Sequence, residues 1–305
     1  MKRRDFLQSG VVLAAGGRLW PVAPALREPG GSLLRADGRA PVPAARAAEG
    51  PLPTIRLGSL AVSRFILGSN PFWGISHTSD QRDAEMKSFY TDERIVRALD
   101  EAADCGLNAV VSPPDARWIK LWAGYREAKG RLPLWISQCH GRPEQMPAEI
   151  DRSVKAGASA VFIQGVRVEE QFGKGNFDVL RSWIERVRAA GLPAGAAAHW
   201  PEIHPELERR GFPTDFYFQC IYDASRTSDY STAEREKALA TIDKIAKPVV
   251  AYKILGAGRL TPAEGFEFVF NRIKRKDGAC VGIFAREAID QIRQNATFTR
   301  MLTPA

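Results

Sequence analysis

Eight short apolar runs recur along the chain, each separated from the next by a helix-length amphipathic segment. They are Phe65 to Gly68, Ala109 to Ser112, Leu134 to Ser137, Ala160 to Ile163, Ala194 to Ala198, Phe216 to Cys220, Val249 to Tyr252 and Cys280 to Phe284. Four of the intervening segments end on a glycine just ahead of the next run, at Gly106, Gly157, Gly191 and Gly211. Glycine just past a helix end supplies a left-handed cap, so these positions mark helix-to-strand turns. The runs are continuously apolar rather than alternating, which predicts strands covered on both faces, as in a parallel sheet. Eight such units, with no Gly-x-Gly-x-x-Gly near the start, predict a closed (β/α)8 TIM barrel over an open doubly wound sheet. A barrel of roughly 250 residues uses most of the 305, and a hydrophobic content of 45% is enough to fill it. Two spacings are irregular. Glu202 to Gly211 is short, and Trp73 to Glu93 is long and polar, as a lid or substrate loop would be.

The first 47 residues read differently. Met-Lys-Arg-Arg-Asp-Phe-Leu-Gln, with Arg3 and Arg4 ahead of a modest apolar run from Gly10 to Gly17, resembles a twin-arginine export signal. That implies passage through the twin-arginine translocation machinery to a periplasmic or other extracytoplasmic location. The run is too short, and too closely followed by Arg18, to insert stably in a membrane. Ala23-Pro-Ala25 and Ala45-Arg-Ala47 are both small-x-small cleavage candidates. The organisation expected is a signal and disordered linker over residues 1–47 and a single barrel domain over 48–305. This region also explains the formal charge of +8: it holds eight Lys/Arg against three acids, a balance of +5, leaving +3 for the rest. A near-neutral body with interspersed signs gives no electrostatic case for nucleic acid. The four cysteines are far apart, with no metal-type spacing, and read as buried free thiols.

In a barrel, chemistry sits where the strands end. Those ends carry Asn70, Ser112, Gln138 with His140, Gln164, His199 with Glu202, Gln219 with Asp223, and Lys253. All four histidines, His77, His140, His199 and His204, fall in segments that follow strands. Lys253, His199 and His140 are the acid/base candidates. Asn70, Ser112, Gln138, Gln164, Glu202, Gln219 and Asp223 are the substrate-binding candidates, since amides that both donate and accept suit a hydroxyl-rich ligand. His204, within Pro-Glu-Ile-His-Pro, reads as a surface loop residue. His140, His199 and Glu202 together would make a divalent-metal triad. Lys253 closes a run entered through Pro248, and desolvation at such a position lowers an amine's pKa and opens Schiff-base or base chemistry. Its alternatives are to hold a phosphate or carboxylate with Arg259, or to pair structurally with Asp223 or Glu202. The loop of Gly256, Gly258 and Arg259, with Gly282, Arg286 and a helix expected from about residue 285, reads as an anion site built from backbone N–H groups.

Several segments carry a family resemblance. Ile55-Arg-Leu-Gly-Ser-Leu-Ala-Val-Ser-Arg-Phe-Ile-Leu-Gly-Ser resembles the opening of the aldo/keto reductase superfamily, a leucine-glycine hairpin followed by the first barrel strand. The likeness continues through Thr91 to Asn108, Ala251 to Leu260, Val281 to Phe284 and Gln291 to Asn295. It implies a TIM barrel, a nicotinamide cofactor (NAD(P)) held at the terminal phosphate cradle, and carbonyl reduction by an aspartate, tyrosine, lysine and histidine. At those positions stand Ser112, then Pro113-Pro114 with no tyrosine at the usual distance, Gln138 and Gln164-Gly165. The reading that reconciles fold and residues is an exported barrel enzyme acting on a small polyhydroxylated or carbonyl substrate, such as a sugar derivative, by acid/base, non-redox chemistry of lyase, isomerase or hydrolase type. The alternatives are an NAD(P)H-dependent oxidoreductase with a rebuilt catalytic set, and a non-catalytic ligand-binding barrel.

Overall fold

A computed structural model describes residues 50–222, 232–286 and 290–303. Two antiparallel strands come first, β1 (Thr54–Leu57) and β2 (Leu60–Ser63), turning at Gly58. The barrel strands follow: β3 (Phe65–Gly68), β4 (Ala109–Ser112), β5 (Leu134–Cys139), β6 (Ala160–Ile163), β7 (Ala194–Ala198), β8 (Phe216–Cys220), β9 (Val249–Tyr252) and β10 (Gly278–Gly282). Each pairs in parallel with its sequence neighbours, and β10 pairs with β3 to close the ring. Ten α-helices accompany them among the described residues: α1 (Asp80–Phe89), α2 (Asp92–Asp104), α3 (Ala116–Glu127), α4 (Met146–Lys155), α5 (Gly165–Gly173), α6 (Phe177–Ala189), α7 (Ile203–Arg209), α8 (Thr232–Lys244), α9 (Pro262–Phe270) and α10 (Gln291–Leu302). This is the closed (β/α)8 barrel expected from the eight apolar runs.

Two layers of apolar side chains hold it. Inside, Ile66, Ala109, Ile136, Ala160, Phe216 and Val250 pack with Ile55, Leu57 and Val62 of the hairpin, which plugs the end where the strands begin. Outside, strand residues of opposite phase, such as Trp135, Val161 and Tyr217, pack against the apolar stripes of the helices. Both faces of each strand are thus buried, the physical reason the runs lack alternation.

The glycine caps are where they were expected, with φ of 85°, 84°, 78° and 63° at Gly106, Gly157, Gly191 and Gly211. They differ in what surrounds them. An added Cβ at Gly157 meets nothing, whereas one at Gly106 runs into the Gly50 carbonyl and the Arg300 guanidinium. Gly157→Ala should cost only the left-handed penalty of about 1–2 kcal/mol. Gly106→Ala should cost more, because Arg300, which ties down the Gly50 and Cys105 carbonyls, must move as well. Urea denaturation midpoints of the two variants check the order.

Three local expectations are revised. The last strand spans Gly278–Gly282 rather than Cys280 to Phe284, because buried Asp277 accepts from the Val249 and Lys274 amides and starts the pairing two residues earlier. Residues 285 and 286 form a turn, and α10 starts at Gln291, so no helix opens at residue 285. His204 is not on a surface loop: it is fully buried in α7, its Nε2 donating to the Phe218 carbonyl at 3.0 Å and its ring 4.4 Å from that of Tyr217. The flanking prolines do not mark a loop here, since Pro205 falls in the first turn of the helix, where no N–H is missed. The twin-arginine segment and Asp223 lie outside the described residues. Among the described residues all four cysteines are free thiols, three of them buried, and no helix is long and apolar enough to cross a membrane.

Candidate active site

The barrel strands end around one cavity of about 1210 Å³. Strand periodicity decides which residues reach it. Val111, Ile136, Phe162, Ala197, Phe218 and Val250 point inward, so positions two further along do so again. On that phase Gln138, Gln164, His199 and Tyr252 line the cavity, joined by Gly68, Cys280 and Gly282 from β3 and β10. Ser112 and Gln219 are out of phase and fully buried on the helix side. The Ser112 hydroxyl accepts from Trp73 Nε1 at 3.4 Å and its carbonyl from Trp135 Nε1 at 3.0 Å. Gln219 Nε2 donates to the carbonyls of Ala198, His199 and Cys220, tying the ends of β7 and β8 together. Neither reaches the cavity, although position alone made both substrate-binding candidates.

His199 and Lys253 do meet, with Nζ 3.4 Å from Nε2. The carboxylate paired with His199 is Glu169 of α5, 3.0 Å from Nδ1, and it also accepts from the His199 amide. An ionised carboxylate only accepts, so this network assigns the ring proton to Nδ1 and leaves the Nε2 lone pair facing Lys253 and the cavity. Burial works to raise the Glu169 carboxyl's pKa, but the hydrogen bonds and charge of His199 outweigh it and hold the group below the usual carboxylate range. The side chains of His199 and Glu169 are 15% and 11% exposed, dry enough for the pair to matter and open enough on one side for a ligand. Gly165, at the start of α5, lets the ring come this close, because a Cβ there would sit 3.1 Å from Nδ1. The sequence does carry a signal for Glu169. It lies beside Gly165 and Val168 on the buried stripe of α5, and a carboxylate on an apolar face needs a partner.

Lys253 follows β9 by one residue, where strand phase would turn it away from the barrel. Its backbone is left-handed instead, with φ 58°, and the side chain lines the cavity beside Tyr252. Such a conformation costs a non-glycine residue about 1–3 kcal/mol and is held only where the surroundings dictate it. Among the described residues no carboxylate forms an ion pair with Lys253. Tyr252 meets the His199 ring edge-on at 5.7 Å.

The long segment after β3 forms the opposite wall, through a 3-10 turn (Asn70–Trp73), the Ile75 to Ser79 loop and α1. The loop is built rather than loose: Asp83 accepts from the amide and hydroxyl of Ser76, whose oxygen in turn accepts from Thr78. It presents His77, whose Nε2 lies 3.1 Å from Asn70 Nδ2. The outer edge of His77 is open, yet desolvation within the cavity and then the charges of Lys253 and His199 push its pKa down to about 4. His77 should therefore stay neutral until about pH 4 in an NMR titration of the imidazole nitrogens. Lys253→Met, by deleting a cation, should raise that midpoint only part of the way, since desolvation is the larger cause and remains.

Other candidates are dispersed. His140 is exposed, its Nε2 3.7 Å from Glu149, a buried acid that also accepts from the Gly141 amide and so anchors that loop. Glu202 is exposed at the start of α7. Neither lines the cavity, so the His140, His199 and Glu202 triad is not assembled. Among the described residues no three His, Cys, Asp or Glu side chains are grouped to hold a metal. Gly258 and Arg259 are at the cavity wall and Gly256 is buried behind it, but most of the amides expected to face a ligand are taken up within the loop. The N–H groups of Gly256, Gly258, Arg259 and Leu260 donate to carbonyls within the loop, and a Thr261–Glu264 capping box closes the start of α9. Gly282 is explained by packing: a Cβ there would collide with Pro71. Arg286 is exposed and lies off the cavity wall. Cys280 also faces the cavity, as a thiol whose pKa desolvation pushes up to about 12.

No protein-family model matches the chain, and no curated protein sequence matches it significantly. Solved structures do. A proposed aldo-keto reductase from Pseudomonas aeruginosa is 17% identical with a TM-score of 0.53, over 81% of this chain and 94% of that one. A Rubisco-like protein from Rhodopseudomonas palustris is 12% identical with a TM-score of 0.49, over 82% and 68%. A GH128 endo-β-1,3-glucanase from Amycolatopsis mediterranei is 11% identical with a TM-score of 0.39, over 67% and 94%. At such identity the likeness to the Pseudomonas protein is one of fold, and the fold is a (β/α)8 barrel similar to that of an aldo-keto reductase.

Proposed function

We propose that this chain is an exported enzyme that carries out acid/base, non-redox chemistry on a small polyhydroxylated or carbonyl-bearing molecule, such as a sugar derivative. The observation that carries the proposal is the row Glu169, His199, Lys253 at the mouth of β7 and β9, with the second imidazole nitrogen meeting the lysine at the cavity. In this reading His199 Nε2 takes a proton from a carbon or hydroxyl beside the carbonyl, and Glu169 orients the ring and stabilises the imidazolium that forms. Lys253 lies where a carbonyl or enolate oxygen would develop charge. Gln138, Gln164 and Asn70 supply paired donors and acceptors for hydroxyl groups. Glu169 is the one acid among the described lining residues, against Lys253, Arg82 and Arg259, so the cavity favours a substrate that turns anionic as it reacts.

The non-redox assignment is supported by Gln138 and Gln164, neutral amides where the aldo/keto reductase resemblance implies a lysine and a histidine, and by the amides of Gly256, Gly258, Arg259 and Leu260, which donate within their own loop. Export rests on the Arg3-Arg4 segment, and the division into residues 1–47 and 48–305 belongs to the same proposal.

The test is deuterium wash-in followed by proton NMR, using a panel of aldoses, ketoses and 2-keto acids with the wild type and with His199→Gln. At least one panel member should exchange or rearrange with the wild type and not with the variant. Saturable micromolar binding of NADPH or NADH, read by tryptophan quenching, with hydride transfer to any panel member, would overturn the proposal in favour of an oxidoreductase.

A further inference from the structure

We infer that Lys253 is a nucleophile whose Nζ condenses with the carbonyl carbon of an aldehyde or ketone, so that the substrate is held as a covalent imine during turnover. The inference rests on the acid/base reading above and deepens it, by naming an open-chain hydroxylated carbonyl compound as the substrate class.

A lysine retained as a structural cation is held by an acid, or by carbonyls and hydroxyls as Lys247 is by the Phe212 carbonyl and the Thr214 hydroxyl. Lys253 has none of these among the described residues, and its hydrogen bond is to the Nε2 of His199. A lone pair at 3.4 Å is a base able to receive a proton from the ammonium, and Glu169 behind the ring stabilises the imidazolium that results. The second observation is independent. Strand phase would send residue 253 out of the barrel, and a left-handed backbone at a lysine brings it into the cavity. Strain of this kind persists where the surroundings over-determine it, and such positions cluster at sites of function. The other potential nucleophile in the cavity, Cys280, does not compete, since its thiol stays protonated.

The step balances without an oxidant or reductant. The Lys253 ammonium gives one proton to His199 Nε2, and the neutral amine adds to the carbonyl carbon. As the C–N bond forms, the C=O π pair moves to oxygen, which takes the proton back from the imidazolium. A second proton then passes from nitrogen through His199 to that hydroxyl, which leaves as water while the nitrogen pair closes the C=N bond. One amine and one carbonyl give one imine and one water. The imine draws electrons from the neighbouring carbon, so His199 can remove the proton there.

The full chain is incubated with glyceraldehyde or dihydroxyacetone and sodium borohydride, and the reduced adduct is located by peptide mapping and mass spectrometry. Labelling at Lys253 is expected to be at least about tenfold faster than at any surface lysine, because an imidazole nitrogen able to take and return its proton stands beside that amine within a cavity. Lys253→Arg keeps the cation and, with the wild-type circular dichroism spectrum confirming its fold, should lose both the adduct and any deuterium exchange found with the panel. An adduct spread evenly over the lysines would overturn the inference. So would a Lys253→Arg variant that keeps the exchange, which would leave Lys253 as a cation and the His199 reading intact. Failure of the His199→Gln comparison, with Lys253 still labelled preferentially, would count against the acid/base reading instead.

Discussion

Replacing His199 with glutamine is expected to lower turnover by about 10²–10⁴-fold, the range that a positioned proton-transfer group contributes. Glutamine keeps a polar group of similar reach, so it can still accept from Lys253, but it cannot hold and return a proton. The loss should fall on kcat, with KM little changed, because the lost interaction belongs to the transition state rather than to binding. Glu169→Gln probes the same row from behind. Its amide keeps the shape but removes the charge that stabilises the imidazolium, so a smaller loss than that of His199→Gln is expected, again in kcat. Rates of deuterium exchange for the panel substrate identified with the wild type provide the measurement. A Glu169→Gln variant as active as the wild type would mean that the carboxylate merely pins the His199 amide. An active His199→Gln variant would end the proposal.

The second large effect is on stability. Phe162 and Phe218 stack across the barrel with ring centroids 4.2 Å apart and planes 7° from parallel, directly under the cavity, and both are almost fully buried. Phe216 meets Phe218 edge-on one layer below, and Gly195 makes room for its ring. Removing one ring therefore takes away a face-to-face contact and leaves a hole in a closed barrel, whose hydrogen-bonded ring of strands cannot collapse to fill it. Phe218→Ala should cost about 3–5 kcal/mol, a fall in Tm on the order of 10 °C for a domain of this size. Phe218→Leu, which keeps most of the volume, should cost less. Differential scanning calorimetry of both variants decides the matter, and a fall of only a degree or so for Phe218→Ala would show that this layer is not tightly packed.

Much of the architecture was legible because it is written locally. An apolar run of four or five residues and a glycine one step past a helix are signals contained within a few neighbours, and each of the four glycines has the left-handed φ that its role requires. The boundaries were less legible. The start of β10 depends on Asp277 reaching the amides of Val249 and Lys274, a contact to another strand that no local pattern shows. His204 was misplaced by its prolines for a related reason: a proline in the first helical turn looks the same in sequence as one in a loop.

The site was legible in part. His199, Lys253, Gln138, Gln164 and Asn70 were found because they lie at strand ends, and all five line the cavity. Ser112 and Gln219 were wrongly grouped with them, since both faces of a barrel strand are apolar and the inward phase leaves no mark in the residues themselves. Glu169 was missed because it sits a full helical turn away from any strand end.

By itself the sequence determined how many strand-helix units there are, their order, and the mouth of the barrel at which polar residues gather, because periodicity and capping act between residues close along the chain. Only the tertiary structure decided which side of each strand looks inward, which carboxylate stands behind His199, and that Lys253 turns back into the cavity. The first depends on the closure of β10 onto β3 and the second on α5 lying beside the end of β7, contacts between residues distant in sequence, and the third on a left-handed backbone at residue 253 that strand periodicity does not anticipate.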